Sequence, residues 1–213
     1  LDQGRALVGA RYDDDLGVAS GSAYVFDVAT GNQLQKLNAL DGAWGDRFGM
    51  YLDISGNHAV VAPRYDDDVK KSSGSAYIFD VETGSQLFKI VAEDADPNDH
   101  FGSGVAVDDG LVLIGAVNDD SLGVYAGSAY LFDAASGKQL AKVTADDAEP
   151  FDQFGQSVAL DGNTVLIGAS MLDYAGAPPL PSGKAYVFNV PEPSAIALLI
   201  LGTSFLSLHR RRR

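Results

Sequence analysis

Residues 21–27 read GSAYVFD, and the stretch returns as GSAYIFD at 74–80, GSAYLFD at 127–133 and GKAYVFN at 183–189. The pair Phe-Gly keeps the same beat at Phe48-Gly49, Phe101-Gly102 and Phe154-Gly155, each 53 residues from the last. Val8, Val61, Ile114 and Ile167 hold that 53-residue interval too, so the three extra residues before the last copy fall within 171–183. An insertion belongs in a loop, and that stretch is read as one. Internal periodicity of this length marks a chain built from one supersecondary unit used several times.

Within each unit the pattern is β. QSVAL at 156–160 alternates, DGN turns, and TVLIGA at 164–169 runs almost wholly apolar. An acidic loop leads to the Gly-Ser-Ala-Tyr strand, and a Thr-Gly turn leads to QLQKL at 33–37. These are four short strands, A to D, filled with β-branched and aromatic residues and punctuated by Gly, Asp and Asn. No stretch of the body has helical periodicity. Strand B, apolar on both faces, is expected inside the sheet, and the lysine-bearing strand D at its edge. A four-stranded unit repeating near 50 residues is the signature of a β-propeller blade. The expected fold is therefore all-β, with units 1–47, 48–100, 101–153 and 154–189 holding three, four, four and three strands. No spare D strand closes the ring. The expectation is an open arc cut from a longer chain, with blades and a signal peptide upstream of Leu1; a closed four-bladed ring is the alternative.

The 213 residues carry a formal charge of −14, and the tail from 191 holds four arginines, so the body is more acidic still, at −17. Such a surface repels phosphate backbones, which excludes nucleic acid as the expected partner. There is no cysteine, hence no disulfide, thiolate metal site or cysteine nucleophile. No Gly-x-Ser-x-Gly, Walker loop or His-Glu-x-x-His occurs, and the body has only His58 and His100. Tyr24, Tyr77, Tyr130 and Tyr186 recur with the repeat and are read as blade packing. Asp46, Asp99 and Asp152, each two residues before Phe-Gly, are read as Asx turns entering strand A.

Phe-Gly, then an Ile-Gly-Ala or Val-Ala-Pro strand, then Gly-Ser-Ala-Tyr resembles the FG-GAP repeat of integrin-α-like propellers over residues 1–190. That family often carries a calcium loop between strands A and B. Here those turns are only SGN (55–57), DDG (108–110) and DGN (161–163), too tight for enough ligands, so the site is not carried over. The B–C loops are the other oxygen-rich candidates, at Asp13, Asp14, Asp15 and Asp66, Asp67, Asp68. Against a calcium site there stands a solvated acidic rim that resists edge pairing. No other cofactor is called for.

The chain ends VPEPSAIALLILGTSFLSLHRRRR. Residues 194–208 are an uncharged apolar run, somewhat shorter than a bilayer usually requires, and Arg210, Arg211, Arg212 and Arg213 form a positive-inside flank. Val190, Pro191, Glu192 and Pro193, a membrane helix over 194–209 and the arginine cluster resemble, in that order, a PEP-CTERM sorting signal of Gram-negative bacteria. The resemblance implies an exosortase-type processing protease as partner. It also implies an inner-membrane-anchored precursor, cleavage near the motif, and delivery to the cell surface or extracellular matrix. The expected function is a non-enzymatic propeller for binding or adhesion, with exopolysaccharide or a surface protein as ligand. The alternative is an extracellular lyase or hydrolase whose site lies in upstream blades or across the central channel.

Overall fold

The computed structural model describes residues 1–170 and 183–190. Fourteen strands form four antiparallel meander sheets, and the counts of three, four, four and three strands match the sequence reading. Blade 1 holds β1 (Arg5–Ala10), β2 (Ser22–Asp27) and β3 (Gln33–Leu37), which are strands B, C and D. Blade 2 holds β4 (Tyr51–Ser55), β5 (His58–Ala62), β6 (Ala76–Asp80) and β7 (Gln86–Ile90). Blade 3 holds β8 (Phe101–Asp108), β9 (Leu111–Ala116), β10 (Ser128–Asp133) and β11 (Gln139–Val143). Blade 4 holds β12 (Phe154–Asp161), β13 (Thr164–Ala169) and β14 (Lys184–Asn189), strands A to C. Strand B lies inside each four-stranded sheet and strand D at its edge, as expected.

The cores lie between blades. One apolar cluster joins Ala23, Val25 and Leu37 of blade 1 to Phe48, Val61, Tyr77 and Phe79 of blade 2. A second joins Val60, Ile78 and Ile90 to Phe101, Ile114, Tyr130 and Phe132. A third joins Leu113, Leu131 and Val143 to Phe154, Ile167, Tyr186 and Phe188. Neighbouring residues of one strand face opposite ways, so Val60 enters the joint after its blade and Val61 the joint before it. This alternation is why strands B and C are apolar on both faces. In each joint the Phe-Gly phenylalanine sits edge-on against the Tyr and Phe of strand C, with ring centroids 5.2–6.2 Å apart.

The glycine of Phe-Gly is dictated by the same joint. Gly102 has φ +98, and a Cβ there would stand 2.7 Å from Ala62 Cβ and 3.0 Å from the Ser75 carbonyl oxygen. Backbone stitches fix the spacing. Phe48, Phe101 and Phe154 donate their N–H groups to Ser20, Ser73 and Ala126 of the preceding blade, at 2.8–2.9 Å.

The two outer faces lack such cover. Val8 is 48% exposed whereas its equivalents Val61, Ile114 and Ile167 are fully buried. On the far side Leu166 and Val187 are 44% and 40% exposed, whereas Val60 and Val25, their equivalents, are fully buried. Among the described residues the blades thus form an open arc. The loop expected at 171–183 lies, apart from Gly183, outside the described residues. Among the described residues no helix is long and apolar enough to cross a membrane; the expected helix at 194–209 also lies outside them.

Candidate functional site

A meander places the A–B and C–D turns at one end of every blade, and the B–C loops and D–A connections at the other. The second end carries most of the polar chemistry. Asp66 is 3% exposed, and its Oδ2 accepts hydrogen bonds from Ser75 Oγ (2.7 Å) and Tyr77 OH (2.9 Å) and pairs with Lys89 Nζ at 3.0 Å. Asp119 accepts from Tyr130 OH and Lys142 Nζ, both at 2.7 Å, and from the Ser121 hydroxyl. Asp13 accepts from Ser22, Tyr24 and Lys36 at 2.7, 2.8 and 3.3 Å. The lysine of strand D then spans to the connection from the previous blade. Lys89 reaches Asp41 (2.8 Å) and Lys142 reaches Asp94 (2.6 Å), and the single protons of the Tyr77 and Tyr130 hydroxyls are shared between these carboxylates and Asp66 or Asp119.

Among the described residues blade 4 has strands A to C alone, and no strand-D lysine. Lys184 stands instead where the other copies have Ser22, Ser75 and Ser128, and pairs with Asp152 (3.2 Å) and Asp147 (3.8 Å). Electrostatics follow the network. Burial opposes the charge of Asp119, but Lys142, Ser121 and Tyr130 outweigh it and hold the carboxyl at about 2. Hydrogen bonds from Ser22 and Tyr24 hold Asp13 well below the ordinary carboxylate range.

Of the six calcium candidates, Asp14, Asp15, Asp67 and Asp68 are exposed as a solvated rim would be, Asp13 is half-buried, and Asp66 departs from that reading. Asp66 and its counterpart Asp119 are buried, not part of a solvated rim, and their oxygens already receive Ser, Tyr, Lys and backbone donors. The flanking residues turn the loop. Asp14 Oδ1 accepts from Ala19 N at 2.7 Å, Asp67 from Ser72 N, and Asp15 and Asp68 pair with Lys36 and Lys89. Among the described residues no group of three or more His, Cys, Asp or Glu side chains is placed to hold a metal ion.

Asp46, Asp99 and Asp152 are turn residues as expected, but they point backwards. Their Oδ2 atoms accept from the N–H three residues earlier, at Ala43, Asp96 and Glu149 (2.7, 2.7 and 3.0 Å). Burial pushes Asp46 and Asp99 up to about 6. Val190 also shifts its assignment. Its N–H bonds Asn163 O at 2.8 Å, as Val28, Val81 and Ala134 bond the earlier A–B turns, and its side chain is buried in the third joint. Val190 closes blade 4, and Pro191, Glu192, Pro193 and Arg210 to Arg213 lie outside the described residues.

At the other end Asp2 and Gln3 of blade 1 and the A–B turns of the other three blades line a cleft of about 580 Å³. Its carboxylates act as staples: Asp2 Oδ2 accepts from Gly56 N at 2.6 Å, and Asp108 accepts from Ser55 Oγ (3.1 Å) and Gly162 N (2.8 Å). The turns are as tight as the sequence implied.

What sequence reasoning missed is a set of departures from the repeat at the B–C end. Arg11, Arg47 and Arg64 stand beside Tyr12, Tyr51 and Tyr65, with guanidinium carbons 4.8–5.8 Å from the ring centroids. His100 takes the place of Arg47 in the next joint. It meets Tyr65 edge-on at 5.3 Å and bonds Asn118 at 2.9 Å, and burial with the Arg64 charge lowers it to about 4. The signal available in sequence was that Arg-Tyr occurs at 11–12 and 64–65 but is Val-Asn at 117–118.

All-β sheets stacked through Phe-Gly joints define a protein of propeller-like blades. The FG-GAP repeat family profile matches residues 1–26, 32–79, 85–132 and 138–188, and the chain belongs to that family. In fold it is similar to the computationally designed Ika4 protein, with a TM-score of 0.50 and 16% identity over 82% of this chain and 83% of that one. No curated protein matches it in sequence.

Proposed function

We propose that the chain is a non-enzymatic propeller of integrin-α-like FG-GAP type that binds or adheres in the extracellular matrix of a Gram-negative bacterium. An exosortase-type protease, acting at a PEP-CTERM signal, delivers it there. One observation supports binding over catalysis. The ionisable groups Asp66 and Asp119, Tyr77 and Tyr130, Lys89 and Lys142 are bonded to one another, and the departures from the repeat gather at one partly exposed loop end. Acid–base catalysis needs a titratable group poised near a substrate. His100, bonded to Asn118 and turned neutral by burial, is not such a group. The test pairs adhesion with activity: the full chain binds matrix polysaccharide or a surface protein from its own host while leaving the polymer's length unchanged. Polymer cleavage by the purified chain sinks this in favour of a lyase or hydrolase.

The tail carries the address. Pro191 and Pro193 have no backbone N–H to give a β-ladder, and four terminal arginines form the positive flank of the proposed signal. Intact mass of protein recovered from the cell surface is expected to show a chain ending near Pro193. A mature chain ending in Arg213 overturns processing, and recovery from the cytoplasm overturns export. Calcium is expected to add little: at millimolar concentration it moves the melting temperature by at most a few degrees. A large shift, abolished by Asp66→Ala and Asp67→Ala, reveals a resident ion.

A further inference from the structure

We propose that the B–C end of blades 1 and 2 binds a carboxylate-bearing polysaccharide, with Arg11 and Arg47 facing its carboxylates, Arg64 adding its charge beside them, and Tyr12 and Trp44 facing its sugar rings. This rests on the binding function above and names its ligand class.

The charge placement carries it first. Four arginines lie in the body of a chain with 28 acidic residues before its tail, and three of the four sit together here. Among the described residues none of the three has a carboxylate within ion-pair distance. Arg5, at the other end of its blade, pairs with Glu82. Among the described residues Lys71 and Lys138 have no such pair either; what sets the three guanidiniums apart is that they share the Tyr12 and Tyr65 rings. Arg64 spends Nη1 and Nη2 on Tyr51 OH (3.1 Å) and Tyr65 OH (2.7 Å), and its buried Nε has no acceptor. Arg11 and Arg47 keep their nitrogen donors for a ligand. A guanidinium against a ring keeps N–H donors that can meet a carboxylate through two parallel bonds.

Backbone conformation is the second, independent observation. Arg47, His100 and Gln153 occupy one repeat position at φ +59, +56 and +54. Left-handed backbone costs a non-glycine residue about 1 kcal/mol, yet no copy uses glycine. A long polar side chain is kept at that position in every joint, and only the first joint makes it cationic.

Aromatic faces are the third. The single tryptophan, Trp44, is 76% exposed in the connection that also carries Arg47, with its backbone against Gly17 of the B–C loop; Tyr12 is 60% exposed. Exposed rings beside arginines suit a ligand alternating apolar ring faces with single negative charges. A nucleic acid, with a charge at every phosphate, meets the repulsion of the body.

The probe is an alginate oligosaccharide titrated into the full chain, read by Trp44 fluorescence and by calorimetry. Binding is expected to weaken with added salt, and by about tenfold or more in each of Arg11→Gln and Arg47→Gln, the loss of one charged hydrogen-bonding group. Arg5→Gln is expected to leave it unchanged, and circular dichroism confirms that each variant is folded. Equal affinity for neutral dextran, equal affinity for polyglutamate, or full affinity in Arg47→Gln overturns the proposal. Adhesion to the host's own matrix is measured in parallel. If wild type and the triple Arg→Gln variant adhere alike, the ligand class fails and the binding function stands; if wild type does not adhere, the binding function itself fails.

Discussion

At the scale of single residues, two aspartate positions in one loop end behave in opposite ways. Asp119 is buried but met by Lys142, Tyr130 and Ser121, so its stabilising effect is complete above the ordinary carboxylate range and is lost as pH falls toward about 2. Asp99, 5% exposed and met by one backbone N–H, has its carboxyl raised to about 6 by burial. Its proton binds the folded chain more tightly, so stability falls as pH rises from about 4 to about 6. Asp99→Asn keeps an oxygen acceptor without the charge. It is expected to stabilise at pH 8 by up to roughly 2 kcal/mol, with the gain gone by pH 4, as read by urea unfolding at both values. Lys142→Met, leaving Asp119 buried without its cation, is expected to cost about 3 kcal/mol at neutral pH. A loss under 0.5 kcal/mol in the same assay shows that the network is not structural. The carboxylates were legible in the sequence as a cluster. Their partners were not, because Tyr130 and Lys142 lie 11 and 23 residues away and meet Asp119 only after strands C and D fold back.

The element that matters most is the Phe-Gly entry to strand A, where a parallel stitch to the preceding blade brings two backbones into contact. Gly102 and Gly31 both have positive φ, but a Cβ at Gly102 meets Ala62 and Ser75 whereas one at Gly31 meets nothing. Gly31→Ala is expected to cost about 1 kcal/mol for conformation alone, and Gly102→Ala about 2 kcal/mol or more, with both midpoints taken from one urea series. Equal losses remove close approach as the cause. The Phe-Gly spacing was visible in sequence; the closeness of Gly102 to Ala62 was not, since it is set between blades.

Across the whole molecule, the three cores among the described residues are the three joints between blades that follow one another in sequence. Stability in such an array is a sum of units and nearest-neighbour interfaces. Val8 and Val61 are the same residue at the same repeat position, one 48% exposed and one fully buried. Val61→Ala is expected to cost about 2 kcal/mol and Val8→Ala less than about 0.5 kcal/mol. Equal losses in thermal unfolding mean that the first face is covered in solution and the arc is closed.

The sequence by itself determined the strand order within each unit and the joint residues, because a 53-residue period repeats every local preference in register. Alternation then assigns each side chain to one joint or the next. It also supplied the tail's charge and hydropathy order. Only the tertiary structure decided how the acidic loops are used. It turned Asp66 inward onto Tyr77 and Lys89, moved Val190 from the tail into blade 4, and gathered Arg11, Arg47 and Arg64 on one surface. Arg11 and Arg64 lie a full repeat apart in sequence, and it is the stacking of blade on blade that brings them to the same end of the arc.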